Sequence, residues 1–190
     1  RNPIEMKILP SSNPERTWFN STFGSNEGWE IEIRKNFGFI HPYGQNFMVY
    51  GNYTRIFSAI NYIYGYKDPD GSGRDIFEER QREMQGQSPW MINAGFTFHE
   101  PTLGTTFNVL FNQYGDRMSA VGDERELDIY EESRPVIDLS ITQPFLGRFQ
   151  AKFTIKDIDA QYKTFRTRNG EPYRAYFKGT SYGLSISYKM

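Results

Sequence analysis

Apolar and polar residues alternate along much of this chain with a period of two. In the closing stretch TSYGLSISYKM, Tyr182, Leu184, Ile186, Tyr188 and Met190 fall on one parity, and Ser181, Gly183, Ser185, Ser187 and Lys189 on the other. Strand side chains point alternately to opposite faces, so this pattern predicts a strand with one apolar face and one small or charged face. The same pattern recurs upstream. Trp29, Ile31 and Ile33 oppose Glu30, Glu32 and Arg34, while Trp90, Ile92, Ala94, Phe96 and Phe98 share a face, as do Phe107, Val109 and Phe111. Ile137, Leu139 and Ile141 oppose Asp138, Ser140 and Thr142; Phe149, Ala151, Phe153 and Ile155 oppose Gln150, Lys152, Thr154 and Lys156. The segment NFMVYGNYTRIFSAINYIY is strand-like in content but apolar on both parities, so its faces stay open between a bulge and a switch. IEMKILP and RTWFNSTF are weaker strands, interrupted by Pro and Asn/Ser clusters. The count is seven strands and one more at most.

The links between strands alternate in length. GFIHPYGQ, EPTLG and PFLG are short; GYKDPDGSGRDIFEERQREMQG, YGDRMSAVGDERELDIYEES and IDAQYKTFRTRNGEP are long and polar. In an antiparallel meander this places all turns at one rim and all long loops at the other, the plan of an outer-membrane barrel. Arg34, Asp138, Lys152 and Lys156 lie opposite the apolar parity. That matters because a cation on the lipid face near the midplane costs about 2–4 kcal/mol. A soluble antiparallel sheet with one packed and one wet face gives the same alternation.

Composition sharpens the choice. Only 37% of the 190 residues are hydrophobic while 17% are aromatic, a balance suited to half-buried pleated surfaces and polar–apolar boundaries. No run approaches the roughly 18 apolar residues of a spanning helix, whereas a spanning strand needs about 9–11 residues with one apolar face. Net charge is −1, which argues against a nucleic-acid partner, and the absence of cysteine excludes disulfides and thiolate chemistry.

Candidate chemistry is sparse. His41 falls in a short turn and His99 at a strand end, and neither supports a metal or triad assignment. DGSGRD lacks the third glycine and the helix of a phosphate-binding loop. Asp68, Asp70, Ser72, Gly73 and Glu79 match positions 1, 3, 5, 6 and 12 of a calcium loop, but Asp75 takes the usual apolar position and an aromatic strand precedes it, so a solvated acidic loop is favoured. The adjacent pairs Glu78/Glu79 and Glu131/Glu132 point to opposite faces if on a strand. Trp90, Tyr43, Tyr114, Tyr130 and Tyr188 suit interface girdles or cross-strand packing. No nucleophile constellation, zinc motif or cofactor motif is read, and the chain is expected not to be an enzyme.

Several segments resemble TonB-dependent outer-membrane receptors of the Bacteroidetes type. NEGWEIEIRKNFGF is similar to their turn leading into a Glu-x-Glu-x-Arg-Lys strand, and EERQREMQGQSPWMINAGFTF to their Arg-x-Gln-Gly-Gln-Ser-Pro-aromatic stretch. FNQYGDRMSAVG, YEESRPVIDLSI and AKFTIKDI come next in the same order, so the resemblance covers roughly residues 24 to 190. Ser181, Gly183, Ile186 and Tyr188 fit the spacing of the closing strand that barrel-assembly machinery reads, with Lys189 and Met190 after the aromatic.

The resemblance implies an all-β, antiparallel up-and-down transmembrane β-barrel. Receptors of this kind have about 22 strands around a plugged lumen, so residues 1–190 would be the C-terminal seven to eight strands, with no plug domain, TonB-box or signal peptide among them. A complete eight-strand barrel is the alternative. Lipid would meet Trp90, Ile92, Phe96, Phe98, Phe107, Val109, Phe111, Ile137, Leu139, Ile141, Phe149, Phe153, Ile155, Tyr182 and Leu184. The implied function is TonB-dependent import of a bulky nutrient across the cell outer membrane of a Gram-negative bacterium. The implied partners are outer-membrane lipid, the TonB complex through parts not in this chain, and a surface lipoprotein. The alternative is a barrel that docks a surface lipoprotein or secretion component without import.

Overall fold

The computed structural model describes residues 3–9, 15–21, 23–67, 71–73, 75–122 and 127–188. These form strands β1 (Ile4–Leu9), β2 (Glu15–Asn20), β3 (Phe23–Asn36), β4 (Phe47–Lys67), β5 (Asp75–Arg82), β6 (Trp90–His99) and β7 (Thr106–Tyr114). They continue with β8 (Arg117–Ala120), β9 (Ile129–Glu131), β10 (Val136–Phe145), β11 (Phe149–Lys156), β12 (Tyr162–Thr167), β13 (Pro172–Phe177) and β14 (Ser181–Tyr188). The fold is all-β, and every strand pair is antiparallel.

The largest sheet is an up-and-down meander in the order β14-β11-β10-β7-β6-β4-β3, with β5 paired to the far half of β4. Among the described residues its two edges, β3 and β14, are not paired with each other, so a closed barrel is not shown. β4 settles the faces that its sequence left open. It pairs with β3 from Met48 to Ile60 and on to Asn61 without a register shift, so neither bulge nor switch intervenes. Odd residues Phe47, Val49, Tyr53 and Phe57 share the apolar face, and even residues Tyr50, Ile56 and Ile60 lie on the other. That second face makes room for Tyr50 at Gly95, where a Cβ would fall 2.1 Å from the tyrosine ring.

The short links gather at one end of the meander. A 3-10 turn over Pro42–Asn46 joins β3 to β4, capped by His41, whose Nδ1 accepts from the Tyr43 amide at 3.1 Å. Glu100 closes the β6–β7 turn by accepting from the Thr102 amide at 3.0 Å and the Leu103 amide at 2.5 Å. The third turn places Leu146 and Gly147 at φ 47° and 71°, a conformation that costs a leucine more than a glycine.

The long links are not the polar loops the sequence suggested. β8, β9, β12 and β13 form a four-stranded sheet in the order β13-β12-β9-β8 beyond the end of the meander. The reason lies in short alternations too brief to read alone: Ala120, Ile129 and Phe165 pack into one buried cluster, joined by Met6 and Ile8 of β1. The two weak N-terminal strands pair with each other as a hairpin, and β1 reaches β8 through a parallel bridge between Lys7 and Val121. The buried hydrophobic residues among those described, Ile60, Met118, Ala120, Val121, Ile129 and Phe165, all belong to this loop end. The described part of the meander itself has no covered core.

Candidate functional site

Register turns the separate alternations into one surface. Along one row of the band, Ile155 sits beside Tyr182 and Leu139, and Leu139 beside Val109. Val109 adjoins Phe96, which adjoins Val49. A parallel row runs from Leu184 through Phe153 and Ile141 to Phe107, Phe98 and Phe47. Ile137 adjoins Phe111, Phe149 adjoins Tyr188, and Ile92 and Trp90 oppose Tyr53 and Arg55. Every described residue assigned to an apolar face from the sequence therefore lies on the same face of the same sheet; Met190 lies outside the described residues.

No described element covers that face. None of these residues is buried, and Tyr182 and Leu184 are each 71% exposed. A contiguous exposed apolar surface across seven strands marks a site of protein or membrane contact. Left in water, each large side chain forgoes about 1.5–3 kcal/mol of burial. From Trp90 to Phe98 the band runs about 27 Å along β6 at about 3.4 Å per residue. Tilted as barrel strands are, that projects to about 20 Å, near the roughly 25 Å apolar belt of outer-membrane barrels.

Both margins of the band carry aromatic rings. At the turn margin Phe47 stacks on Phe98 at 4.5 Å, Phe145 on Phe149 at 5.5 Å, and Phe149 meets Tyr188 at 5.2 Å. At the loop margin Trp29 meets Tyr53 at 5.4 Å, beside Trp90. Charged residues of this parity stand at the margins too: Lys35 lies over Phe39 at the turn end, and Arg55 over Phe57 at the loop end. Two girdle candidates fall elsewhere. Tyr114 has the opposite parity and donates to Glu131 at 2.5 Å, while Tyr130 belongs to β9 in the loop sheet. Their strand-end positions resemble girdle sites, but parity and tertiary pairing separate them from the band.

The opposite face is a polar lattice. Asn52 donates to Glu30 at 2.7 Å, Asn93 to Asn52 at 2.7 Å, and Asn112 to Asn93 at 2.6 Å, one hydrogen-bonded rung across β3, β4, β6 and β7. Thr97 donates to Asn108 at 2.8 Å, and Asn108 to Ser140 at 3.4 Å, extending a second rung to β10. On β14, Ser181 and Gly183 lie on this face, while Ile186 and Tyr188 lie on the apolar one. Gly183 is required by its neighbour: a Cβ there would fall 2.7 Å from the Thr154 hydroxyl.

Where the meander meets the loop sheet, charges take over. Arg82 forms a buried two-pronged pair with Glu5, at 2.9 and 2.5 Å, and the Ser21 hydroxyl also donates to Glu5. Gln85 accepts from the Met6 amide at 2.7 Å and donates to the Ser119 carbonyl at 2.8 Å, tying β1 to β8. The stretch RQREMQGQSPW is thus the seam joining hairpin, meander and loop sheet. Its resemblance marks the segment; Glu5, its partner 77 residues away, leaves no sign in the sequence.

Glu131 and Glu132 at the end of β9 hold separate sets of partners. Glu131 meets Arg117 at 3.1 Å and Lys163 at 2.7 Å; Glu132 meets Arg166 at 3.0 Å and accepts from Thr164 at 2.6 Å. Burial pushes the Glu131 carboxyl up, but hydrogen bonds from Lys163 and Tyr114 and the Arg117 charge outweigh it and leave it below the usual carboxylate range. Burial, aided by the Glu83 charge, pushes the Tyr130 hydroxyl up to about 12. Arg166 is held above its ordinary value by Asp116, 2.6 Å away.

The remaining candidates stay apart. His41 caps its turn, and His99 contacts Thr106 at 3.0 Å. Asp68 and Asp70 of the acidic loop lie outside the described residues, while Glu79 falls on β5. Among the described residues no cluster of His, Asp or Glu is arranged to hold a metal ion. No protein-family model matches the chain, and no curated protein or solved structure does either.

Proposed function

We propose that this chain is a wall segment of an outer-membrane β-barrel, the C-terminal strands of a TonB-dependent receptor that imports a bulky nutrient. The observation that carries the membrane part is the uncovered apolar band of seven adjacent strands with aromatic rows at both margins. Lipid would cover the band, the asparagine lattice would line the lumen, and the folded loop sheet would stand outside the cell surface. The receptor part rests on the resemblance of residues 24 to 190. In this reading the chain performs no covalent chemistry: its polar lattice offers hydrogen bonds along a passage, and its loop end meets substrate.

A second reading, a barrel that docks a surface lipoprotein or secretion component, draws on the outer strand β13, all of whose residues are exposed. The test of the first reading is fractionation of cells carrying the native gene, with a heat-modifiability gel and an intact-mass measurement. A detergent-dependent, heat-shifting protein far heavier than 22.3 kDa is expected; a soluble monomer of 22.3 kDa refutes it. Import without any co-purifying surface protein separates the receptor from the docking module.

A further inference from the structure

β4 loses its neighbour over a short stretch. Pairing with β6 ends at Arg55 opposite Trp90, and pairing with β5 begins at Ile60 opposite Arg82. Across the interval the chain from Glu83 to Pro89 swings away, held by the Ile56 amide on the Pro89 carbonyl at 3.0 Å and the Met84 amide on the Ser58 hydroxyl at 3.2 Å. The loop sheet roofs the opening with Met118, Tyr130 and Arg166, which share a face by register. The result is a cavity of about 460 Å³, within the range of small-molecule sites.

Its lining is unusual in what is left unused. Arg55, Arg166 and Arg168 line it beside Glu83 and Asp116, and Glu132, paired with Arg166, balances the third charge. Arg166 is fully engaged by Asp116 and Glu132. Arg55 lies over the Phe57 ring and gives one hydrogen bond, to the Pro89 carbonyl at 3.1 Å, and no carboxylate among the described residues pairs with it. Arg168 stands 4.0 Å from Glu83, and its Nη1 and the Tyr130 hydroxyl are buried without a hydrogen-bond partner. Buried donors without partners are costly, and their presence beside a cavity marks a place where a ligand would complete them.

From this we infer that the cavity binds a hydroxylated monocarboxylate such as a uronate. A single carboxylate would pair with Arg55, the lining cation that no described carboxylate meets. Guanidinium forks take carboxylates in two-pronged geometry. Ser58, Gln87, Glu83 and Tyr130 supply the mixture of donors and acceptors that ring hydroxyls, which both donate and accept, require. The inference deepens the receptor reading by naming a substrate class, and depends on that reading only for the transport of the bound solute.

The test is calorimetric titration of the detergent-purified full chain with glucuronate, glucose and inorganic phosphate. Glucuronate is expected to bind saturably and glucose at least about tenfold more weakly. Arg168→Gln should raise the glucuronate Kd about tenfold, and Tyr130→Phe, which deletes only a hydroxyl with no partner and leaves folding intact, about fivefold. Lys178→Gln, exposed and outside the cavity, should leave it unchanged. Equal binding of glucose, tighter binding of phosphate, or an unchanged Kd in Tyr130→Phe overturns the inference. A heat-shifting membrane protein that binds none of the probes overturns the site and leaves the receptor reading standing. A chain that binds glucuronate but needs no detergent does the reverse.

Discussion

Replacing Val109 by arginine puts the membrane reading at risk on one number. Val109 lies on β7 between Phe96 of β6 and Leu139 of β10, two positions from the turn margin along β6 and two from the loop margin along β10. Strand tilt therefore sets it near the centre of the band. If lipid covers the band, an arginine there costs about 2–4 kcal/mol, roughly a 30- to 900-fold fall in the folded population. If the face is open to water, the same change at a half-exposed strand position stays within about 0.5 kcal/mol. Ser187→Arg is the control, since Ser187 is exposed on the polar face of β14 beside Gln150. Reversible denaturant unfolding in phospholipid vesicles gives both values. Equal, small costs for the two variants would refute the assignment of this face to lipid, whatever the fractionation showed.

The loop end yields three further outcomes. Glu5→Gln leaves Arg82 buried without its carboxylate and should destabilise the chain by about 3–5 kcal/mol, while Glu5→Leu combined with Arg82→Met should recover most of the loss in the same unfolding assay. Because the folded Glu131 carboxyl lies below its usual range, its contribution is complete above about pH 4.3, the unfolded value, and is lost as pH falls through the lowered folded one. Glu131→Gln should therefore flatten the acid limb of the unfolding midpoint against pH. Tyr130 holds its proton up to about 12, so ultraviolet titration should show a late phenolate step that loses part of its amplitude in Tyr130→Phe; an undiminished step would take Tyr130 out of it.

The polar lattice and the loop junction divide the labour of the proposed receptor. The rung from Glu30 to Asn112 crosses four strands without a charge pair, so in the proposed receptor it would give a wettable wall able to exchange hydrogen bonds with a passing solute. The junction concentrates the buried ion pairs and the engaged carboxylates, which hold the loop sheet over the end of the meander rather than leaving it mobile.

Local alternation determined much of this protein by itself. A two-residue period assigns a face to each side chain before any neighbour is known, so Leu139, Phe153 and Leu184 group together from sequence, and the alternating link lengths imply a meander with two unlike rims. β4 resists because Tyr50, Ile56 and Ile60 are apolar for reasons of their own: one fills the space above Gly95, and the others are drawn to the loop-end junction. Only tertiary structure decided that the long links fold into a sheet, since Ala120, Ile129 and Phe165 are too scattered to signal a core until register brings them together. It also decided the charge seam, because Arg82 and Glu5 are distant in sequence and an ion pair leaves no periodic trace. Strand faces are a local property of the backbone; partners across a cavity are a property of the whole fold.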